Sequence, residues 1–299
     1  SASKRVVRAS RASAPYGASL PTPAVALVRT RPLLDDATRS IGDAVRANAT
    51  TRLATLIDAI DPPARTGRPR LWSTLTMLQA LWWLCRAGAA WKLLPAFHPP
   101  RQTIGSRLER WMRLGVLDRA LAVLNGCLRL ARGRRRRPSA GILDTQSVKT
   151  GPQGGPRGYD AAKKVKGRKR VLLVDTEGLV QGLHVVPAAV QDRDTAALIA
   201  PDLAASALLK IWADLGFNGN AAATSMTRNG IDLELVGRTN KTGFAVEPHR
   251  WKIEQTFACL QRYRRLLVDH EASTAMSRTM TLLAALFMTG ARFERQIMA

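Results

Sequence analysis

Three carboxylates stand at positions from which their side chains could meet around a metal ion. Asp144 follows an apolar pair in GILDTQSVKTG, and Asp214 ends an apolar stretch in KIWADLGFNG. Glu254 lies near the start of a helical pattern, in RWKIEQTFACLQRYRRL. Side chains at strand ends open onto the crevice where ligands bind in α/β sheets, and carboxylates that converge there repel unless a cation joins them. These acids therefore predict a cation site.

The remaining composition favours hard, oxygen-bound ions. The three cysteines and four histidines are scattered, and no CxxC pair is present. This excludes a cysteine zinc site and leaves Mg²⁺, or Mn²⁺, as the expected metal. Two such ions roughly 3.5–4 Å apart stabilise both the attacking and the leaving oxygen of an in-line displacement at phosphorus. Phosphoryl chemistry is therefore the expected reaction.

Other acids compete for this role on position alone. Each of them is equally well explained as a helix cap or a turn residue: Asp160, Asp175, Glu177, Asp192 and Asp194. A single strand-end aspartate can also be a cap or a surface charge. The pattern alone therefore leaves the choice of acids open.

The elements that must position these acids form a β/α pattern after residue 140. Short apolar runs predict five strands, at 141–145, 170–175, 179–187, 208–213 and 231–237. The second and third are separated by TEG and are predicted to form a hairpin. Helical patterns follow at about 192–206, 219–229 and 249–268. The prediction is a mixed five-stranded sheet flanked by helices.

The region before this pattern reads as helical. Apolar residues recur at helical spacing within 36–130, with proline-bearing breaks at 61–70 and 93–103. Arginines on the last of these helices suit a small DNA-binding domain, whereas a helical bundle with solvated arginines explains them equally well. The expected units are a flexible basic arm at 1–35, a helical DNA-binding domain at 36–131, an Arg-rich linker at 132–140 and a catalytic domain at 141–299.

The charge balance points to a polyanionic partner. Forty-six Lys and Arg face 22 Asp and Glu, a formal net charge of +24. Such an excess attracts nucleic acid, although an anionic membrane surface or ribosome assembly would fit the charge as well. The most apolar run, at 71–85, is too short to span a membrane and is interrupted by polar residues. No membrane insertion is expected.

Two clusters of cations could contact DNA phosphates beside the acids. YDAAKKVKGRKR supplies six cations and the last helix adds arginines near Glu254. A solvated strand edge and ordinary surface charge are the competing interpretations. The candidate DNA-contacting residues are Lys163, Lys164, Lys166, Arg168, Lys169, Arg170, Arg250, Arg262 and Arg265.

Several long segments resemble the DDE transposases of bacterial insertion sequences, in the insertion-sequence-five group. They are GYDAAKKVKGRKRVLLVDTEGLV, VVPAAVQDRDTA, ADLGFNG and RWKIEQTFACLQRYRRL, and the resemblance covers roughly residues 65–271. Arg250 matches an arginine four residues before the family's glutamate. Glu247 and Gln261 stand where the wider pattern has tyrosine and lysine, and residues 1–50 do not match the family's usual opening.

The resemblance implies an RNase H-like catalytic domain in which Asp144, Asp214 and Glu254 bind two Mg²⁺ ions. It implies a bacterial cytoplasmic, nucleoid-associated enzyme that binds the terminal inverted repeats of its element, cleaves each end and joins it to target DNA. It also implies a dimer or larger assembly and no small-molecule cofactor. The alternatives are an inactive DNA-binding regulator or element remnant, and an RNase H-like nuclease without strand transfer.

Overall fold

The computed structural model describes residues 49–64, 66–67, 69–203, 206–237 and 250–298. The predicted arm at 1–35 lies outside the described residues, as does the start of the predicted helical domain. Helices and a sheet follow in the order that the sequence pattern predicted. Among the described residues, no helix is both long and apolar enough to cross a bilayer.

Among the described residues, four helices precede the sheet: α1 (Ala49–Ile60), α2 (Thr74–Ala87), α3 (Arg101–Arg113) and α4 (Val116–Ala131). Local signals define the ends of α2. The Ser73 side chain accepts a hydrogen bond from the Thr76 amide at 3.1 Å, and Gly88 adopts a left-handed φ of 69° after the last turn. The proline-bearing segments lie between these helices, so the predicted helical region is confirmed over its described part.

The strands form one mixed sheet: β1 (Ala140–Lys149), β2 (Gly158–Asp160), β3 (Val165–Asp175), β4 (Val180–Pro187), β5 (Lys210–Asp214) and β6 (Asp232–Val236). The central order is β3–β1–β5–β6. β1 and β3 are antiparallel, while β5 and β6 run parallel to β1. Both β2 and β4 pair with the outer edge of β3. The five predicted strands and the hairpin are present, and the short β2 is an addition.

The hairpin turn between β3 and β4 is built around one buried acid. The Asp175 carboxylate accepts hydrogen bonds from the amides of Glu177 and Leu179, each at 2.9 Å. Gly178 takes a left-handed φ of 71°, which a glycine adopts without strain. Asp175 is therefore the turn residue that its position suggested.

Helices cover both faces of the sheet. α5 (Asp192–Leu203) and α6 (Asn220–Arg228) enclose one core with the face that carries Leu143. On the other face, the core continues from Ile142 into α7 (Trp251–Gln261), α8 (Thr274–Met298) and the first four helices. The helical region and this face of the sheet thus share one hydrophobic core.

The last helix, α8, joins the two regions, and no element was predicted for it. It packs against α1 and α4 as well as β4. Arg278 on α8 forms an ion pair with Asp118 of α4 and donates to the Leu183 carbonyl at 2.7 Å. The mixed sheet with helices on both faces is consistent with an RNase H-like domain.

Candidate active site

Asp144 and Asp214 lie side by side at the centre of the sheet. The parallel pairing of β1 and β5 ends at Leu143 opposite Ala213, and each aspartate is the next residue of its strand. Neighbouring strands are about 4.8 Å apart, and residues at matching positions project from the same face. Sheet register therefore brings together two acids that are 70 residues apart in the sequence.

One arginine lies against both carboxylates. The Arg250 Nη2 atom is 3.6 Å from Asp214 Oδ2 and 4.0 Å from Asp144 Oδ2. Arg250 immediately precedes α7, so its backbone carbonyl accepts a hydrogen bond from the Glu254 amide at 3.2 Å. This places Glu254 one helical turn beyond the arginine, in an exposed position.

The three acids are thus gathered unequally. The structure brings Asp144 and Asp214 together and attaches Glu254 to the same location through the first turn of α7. Over the ranges that the structure describes, no three His, Cys, Asp or Glu side chains are grouped tightly enough to hold a metal ion. The choice of Glu254 as the third ligand stays a prediction.

The environment of Asp144 disfavours its ionised form unless a cation lies nearby. Burial raises the pKa of Asp144 to about 6, and the charge of Asp214 adds to the rise. The Thr145 amide, Arg250 and Lys163 oppose it. A desolvated carboxylate beside a second one is stabilised in its ionised form by added positive charge. The donors are all carboxylate oxygens, so this pair fits a hard divalent ion such as Mg²⁺.

A polar network supports Asp144 from the opposite face of the sheet. Asp192, the first residue of α5, accepts hydrogen bonds from Thr145 Oγ1 at 2.9 Å and from Lys169 Nζ at 2.7 Å. The Nζ of Lys163 donates to the Thr145 carbonyl at 3.0 Å. Thr145 directly follows Asp144, so these contacts fix the backbone that carries the first acid.

Sequence reasoning treated Asp192 as a helix cap and missed this connection. A tight turn after β5 lies close to the same residue. The Gly216 amide donates to Asp214 Oδ1 at 2.8 Å, and a Cβ at Gly216 would lie 2.9 Å from that oxygen and 3.4 Å from Asp192 Oδ2. The one available signal was that Asp192 lies in VVPAAVQDRDTA, one of the segments that resemble the transposase family.

Four of the nine candidate DNA-contacting residues are inside the protein, contrary to the expectation of phosphate contacts: Arg168, Lys169, Arg170 and Arg265. Their charges are used internally. Arg168 Nη1 is 3.1 Å from Asp269 Oδ1, and Arg265 Nε is 2.7 Å from Glu271 Oε1. Arg170 donates to the Leu266 carbonyl at 2.9 Å.

The other candidate cations are on the surface or face the acids. Lys163, Lys164, Lys166 and Arg262 are exposed, and Arg250 is half-buried between the aspartates. Residues 134–137 of the predicted linker are exposed as well, although Arg134 forms an ion pair with Glu177 at 3.2 Å. These side chains are accessible to DNA phosphates.

Comparison with known proteins agrees with this architecture. The family model for the transposase DDE domain matches residues 135–288, more than half of the chain, and a model for transposases of the IS4/5 family matches residues 50–121. The uncharacterized protein y4sN of Sinorhizobium fredii is 43% identical over 47 residues, which are 16% of this chain. The chain spans 38% of the length of that relative.

Proposed function

Because the chain belongs to the DDE transposases of the IS4/5 family, we propose that it cuts and joins DNA at the ends of its insertion sequence. Asp144, Asp214 and Glu254 would hold two Mg²⁺ ions, or Mn²⁺. The observation that carries the proposal is the juxtaposition of Asp144 and Asp214 around a single arginine. The largely buried carboxylate of Asp144 beside the partly exposed one of Asp214 is stabilised in its ionised form by a dication.

When bound, the ions would supply the activation of water and the stabilisation of the attacking and leaving oxygens. The protein's own contribution is rigidity. Asp144 lies within a strand paired on both sides, and the network at Thr145 fixes its backbone. Hydrolysis of one strand and attack by the resulting 3′-hydroxyl are both in-line displacements, so one site serves both steps.

Arg250 would change partner during this cycle. Once the aspartates hold metal ions, the Arg250 guanidinium would bind a phosphate oxygen of the DNA strand being cut. Its position one turn before Glu254 keeps it beside the reacting phosphodiester. The exposed Lys164, Lys166 and Arg262 would bind the flanking phosphates, whose contacts position the duplex without reading its sequence.

The substrate would be double-stranded DNA, both the terminal inverted repeats and the target. Cutting two ends in concert requires two copies of the site, which supports a dimer or larger assembly on paired ends. We propose that the protein acts in the bacterial cytoplasm, on the nucleoid, without a small-molecule cofactor.

Purified Asp144→Asn and Glu254→Gln variants test this function on DNA that carries the flanks of the gene. Nicking in Mg²⁺ should fall at least 10³-fold in each variant, a loss of about 4 kcal/mol of transition-state stabilisation, with DNA affinity in EDTA retained. Glu109→Gln, at an exposed acid of α3, is the matched control and should cut normally. Wild-type nicking by Asp144→Asn would refute the metal-ligand role.

A second candidate is a DNA-binding regulator or element remnant that no longer cuts. It is supported by Glu247 and Gln261, which replace the tyrosine and lysine of the family pattern. Duplex binding without Mg²⁺-dependent nicking would favour it. An RNase H-like nuclease without strand transfer is distinguished by supplying a precleaved end, which only a transposase joins to a second DNA.

A further inference from the structure

The helical region contains an open cleft of about 320 Å³ between the start of α2 and the start of α3. Three aromatic rings line it, those of Trp72, Trp91 and His98, together with the cations Lys92 and Arg101. Proline and aliphatic side chains complete the wall, and none of the described lining residues is acidic. We call this feature the aromatic cleft. Its volume lies within the roughly 300–1,000 Å³ typical of ligand pockets.

The surrounding sequence is unusual in both charge and aromatic content. Residues 62–108 contain no Asp or Glu but seven Lys and Arg. Four of the seven tryptophans of the chain lie within the same segment. The acid that precedes it, Asp61, is already paired with Arg70 and Arg110. The charged side chains among the described lining residues of the cleft, Lys92 and Arg101, are both cations.

Two of the three rings of the aromatic cleft, those of Trp91 and His98, contact side chains that do not line it. The Arg265 guanidinium carbon lies 5.4 Å from the centroid of the Trp91 ring, and Arg265 is itself fixed by Glu271. His98 packs against Phe97, with ring centroids 4.4 Å apart. Burial lowers the pKa of His98, which keeps its ring uncharged at neutral pH. Rigid aromatic surfaces of this kind bind flat ligands at a small entropic cost.

We propose that the aromatic cleft binds an unpaired nucleobase of DNA, with Lys92 and Arg101 contacting the phosphates on either side of it. This inference rests on the proposed function, which makes DNA the substrate. Proteins that bind single strands combine a basic surface with aromatic rings on which bases stack, and every base offers a π face. Bases inside an intact duplex are stacked on their neighbours, so the occupant must come from an unpaired or frayed end.

The proposal can be tested by DNA binding in EDTA, where no cleavage occurs. Fluorescence anisotropy of the full chain would compare a blunt duplex with the same duplex carrying an unpaired 3′ end. The wild type should bind the unpaired end about tenfold more tightly. Trp72→Leu and Trp91→Leu should each remove most of this preference, a loss of about 1.4 kcal/mol, and leave the affinity for the blunt duplex unchanged.

Conservative and control variants separate stacking from folding. Trp91→Phe retains an aromatic face and should keep most of the preference. Trp82→Leu is the matched control, since Trp82 is an exposed residue of α2 that does not line the cleft, and it should behave as wild type. If Trp91→Leu fails to fold, Lys92→Gln and Arg101→Gln provide the test, because both side chains are exposed and each should weaken binding of the unpaired end selectively.

Several results would overturn the inference. One is equal affinity of the wild type for blunt and unpaired ends, which would leave the proposed cleavage of duplex DNA standing. Another is an equal loss for both DNA forms in the tryptophan variants. A third is binding of a proline-rich peptide to the cleft that single-stranded DNA does not compete with, which would assign the cleft to a protein segment. Failure of Asp144→Asn to abolish nicking bears only on the catalytic site.

Discussion

The ion pair between Arg129 and Asp175 provides a quantitative test of how the helical region is attached to the sheet. Arg129 Nη1 of α4 lies 2.5 Å from Asp175 Oδ2 in the β3–β4 turn, and the two side chains are 6% and 0% exposed. Even with this partner and two amide donors, burial raises the pKa of Asp175 above its ordinary value. The ionised carboxylate therefore stays buried because its ion pair and hydrogen bonds offset much of the free-energy cost of removing it from water.

Removing the cation alone should be costly. Arg129→Met leaves a buried carboxylate with only the Glu177 and Leu179 amides, and breaking a buried pair in this way costs about 3–5 kcal/mol. Asp175→Asn keeps an acceptor for those amides but leaves the Arg129 guanidinium unpaired, so a loss of about 3 kcal/mol is expected. The double variant buries no charge and should recover about 2 kcal/mol relative to the sum of the single losses.

Urea unfolding followed by far-ultraviolet circular dichroism measures these differences, with the denaturant slope checked for each variant. Arg132→Met is the matched control, because Arg132 pairs with Glu177 near the surface and should contribute under about 1 kcal/mol. The loss in free energy of unfolding caused by Arg129→Met should also be smaller at acidic pH. The raised pKa means that Asp175 is protonated there, which removes the unpaired charge. Strict additivity of the two single losses, within about 0.5 kcal/mol, would refute the reasoning.

Two further predictions concern residues on either side of the molecule. Asp192→Asn should lower Mg²⁺-dependent nicking about 10–100-fold, as loss of a residue behind a metal ligand typically does, while DNA affinity in EDTA stays close to wild type. Unchanged nicking would contradict a positioning role for the Thr145 contact. Asp61→Asn should lower stability by about 1–2 kcal/mol at pH 7, a value discounted because Arg110 is 46% exposed. Burial alone would raise the pKa of Asp61, but the hydrogen bond and charge of Arg110, with Arg70 and Arg107, lower it below 3.8. Asp61 therefore contributes stability above pH 3.8 that is lost as pH falls through the folded-state pKa, and thermal unfolding at low pH should show no difference between variant and wild type.

The strands were accessible to sequence reasoning because their signals are local, whereas position alone left the choice of acids open. Asp214 ends both its apolar run and its strand, but β1 continues to Lys149, beyond Asp144. The proximity of Asp144 and Asp214 could not be predicted from local pattern. It depends on β1 pairing with β5 in parallel at one particular register, which brings Leu143 opposite Ala213. Local pattern locates the strands, and only the pairing of strands shows which of their residues meet.

The helix α8 was not predicted, although its apolar residues recur at helical spacing as those of α7 do. Every residue from 279 to 287 is buried, since the helices of the N-terminal region and the sheet surround this stretch. That burial depends on contacts with elements far along the chain, which no local pattern shows. The same enclosure makes α8 the element through which the helical region and the sheet share a core.

The fate of the cations in β3 shows why charge in a sequence does not locate a binding surface. Arg168, Lys169 and Arg170 are consecutive, so they alternate between the two faces of a strand that is paired on both edges. Each reaches an acceptor far along the chain: Arg168 contacts Asp269, Lys169 contacts Asp192, and Arg170 contacts the Leu266 carbonyl. Such partners satisfy buried charge only after the chain has folded, and no local rule foresees them. A charged residue marks a candidate binding surface only where it stays exposed, as Lys92 and Arg101 of the aromatic cleft do and Arg168, Lys169 and Arg170 do not.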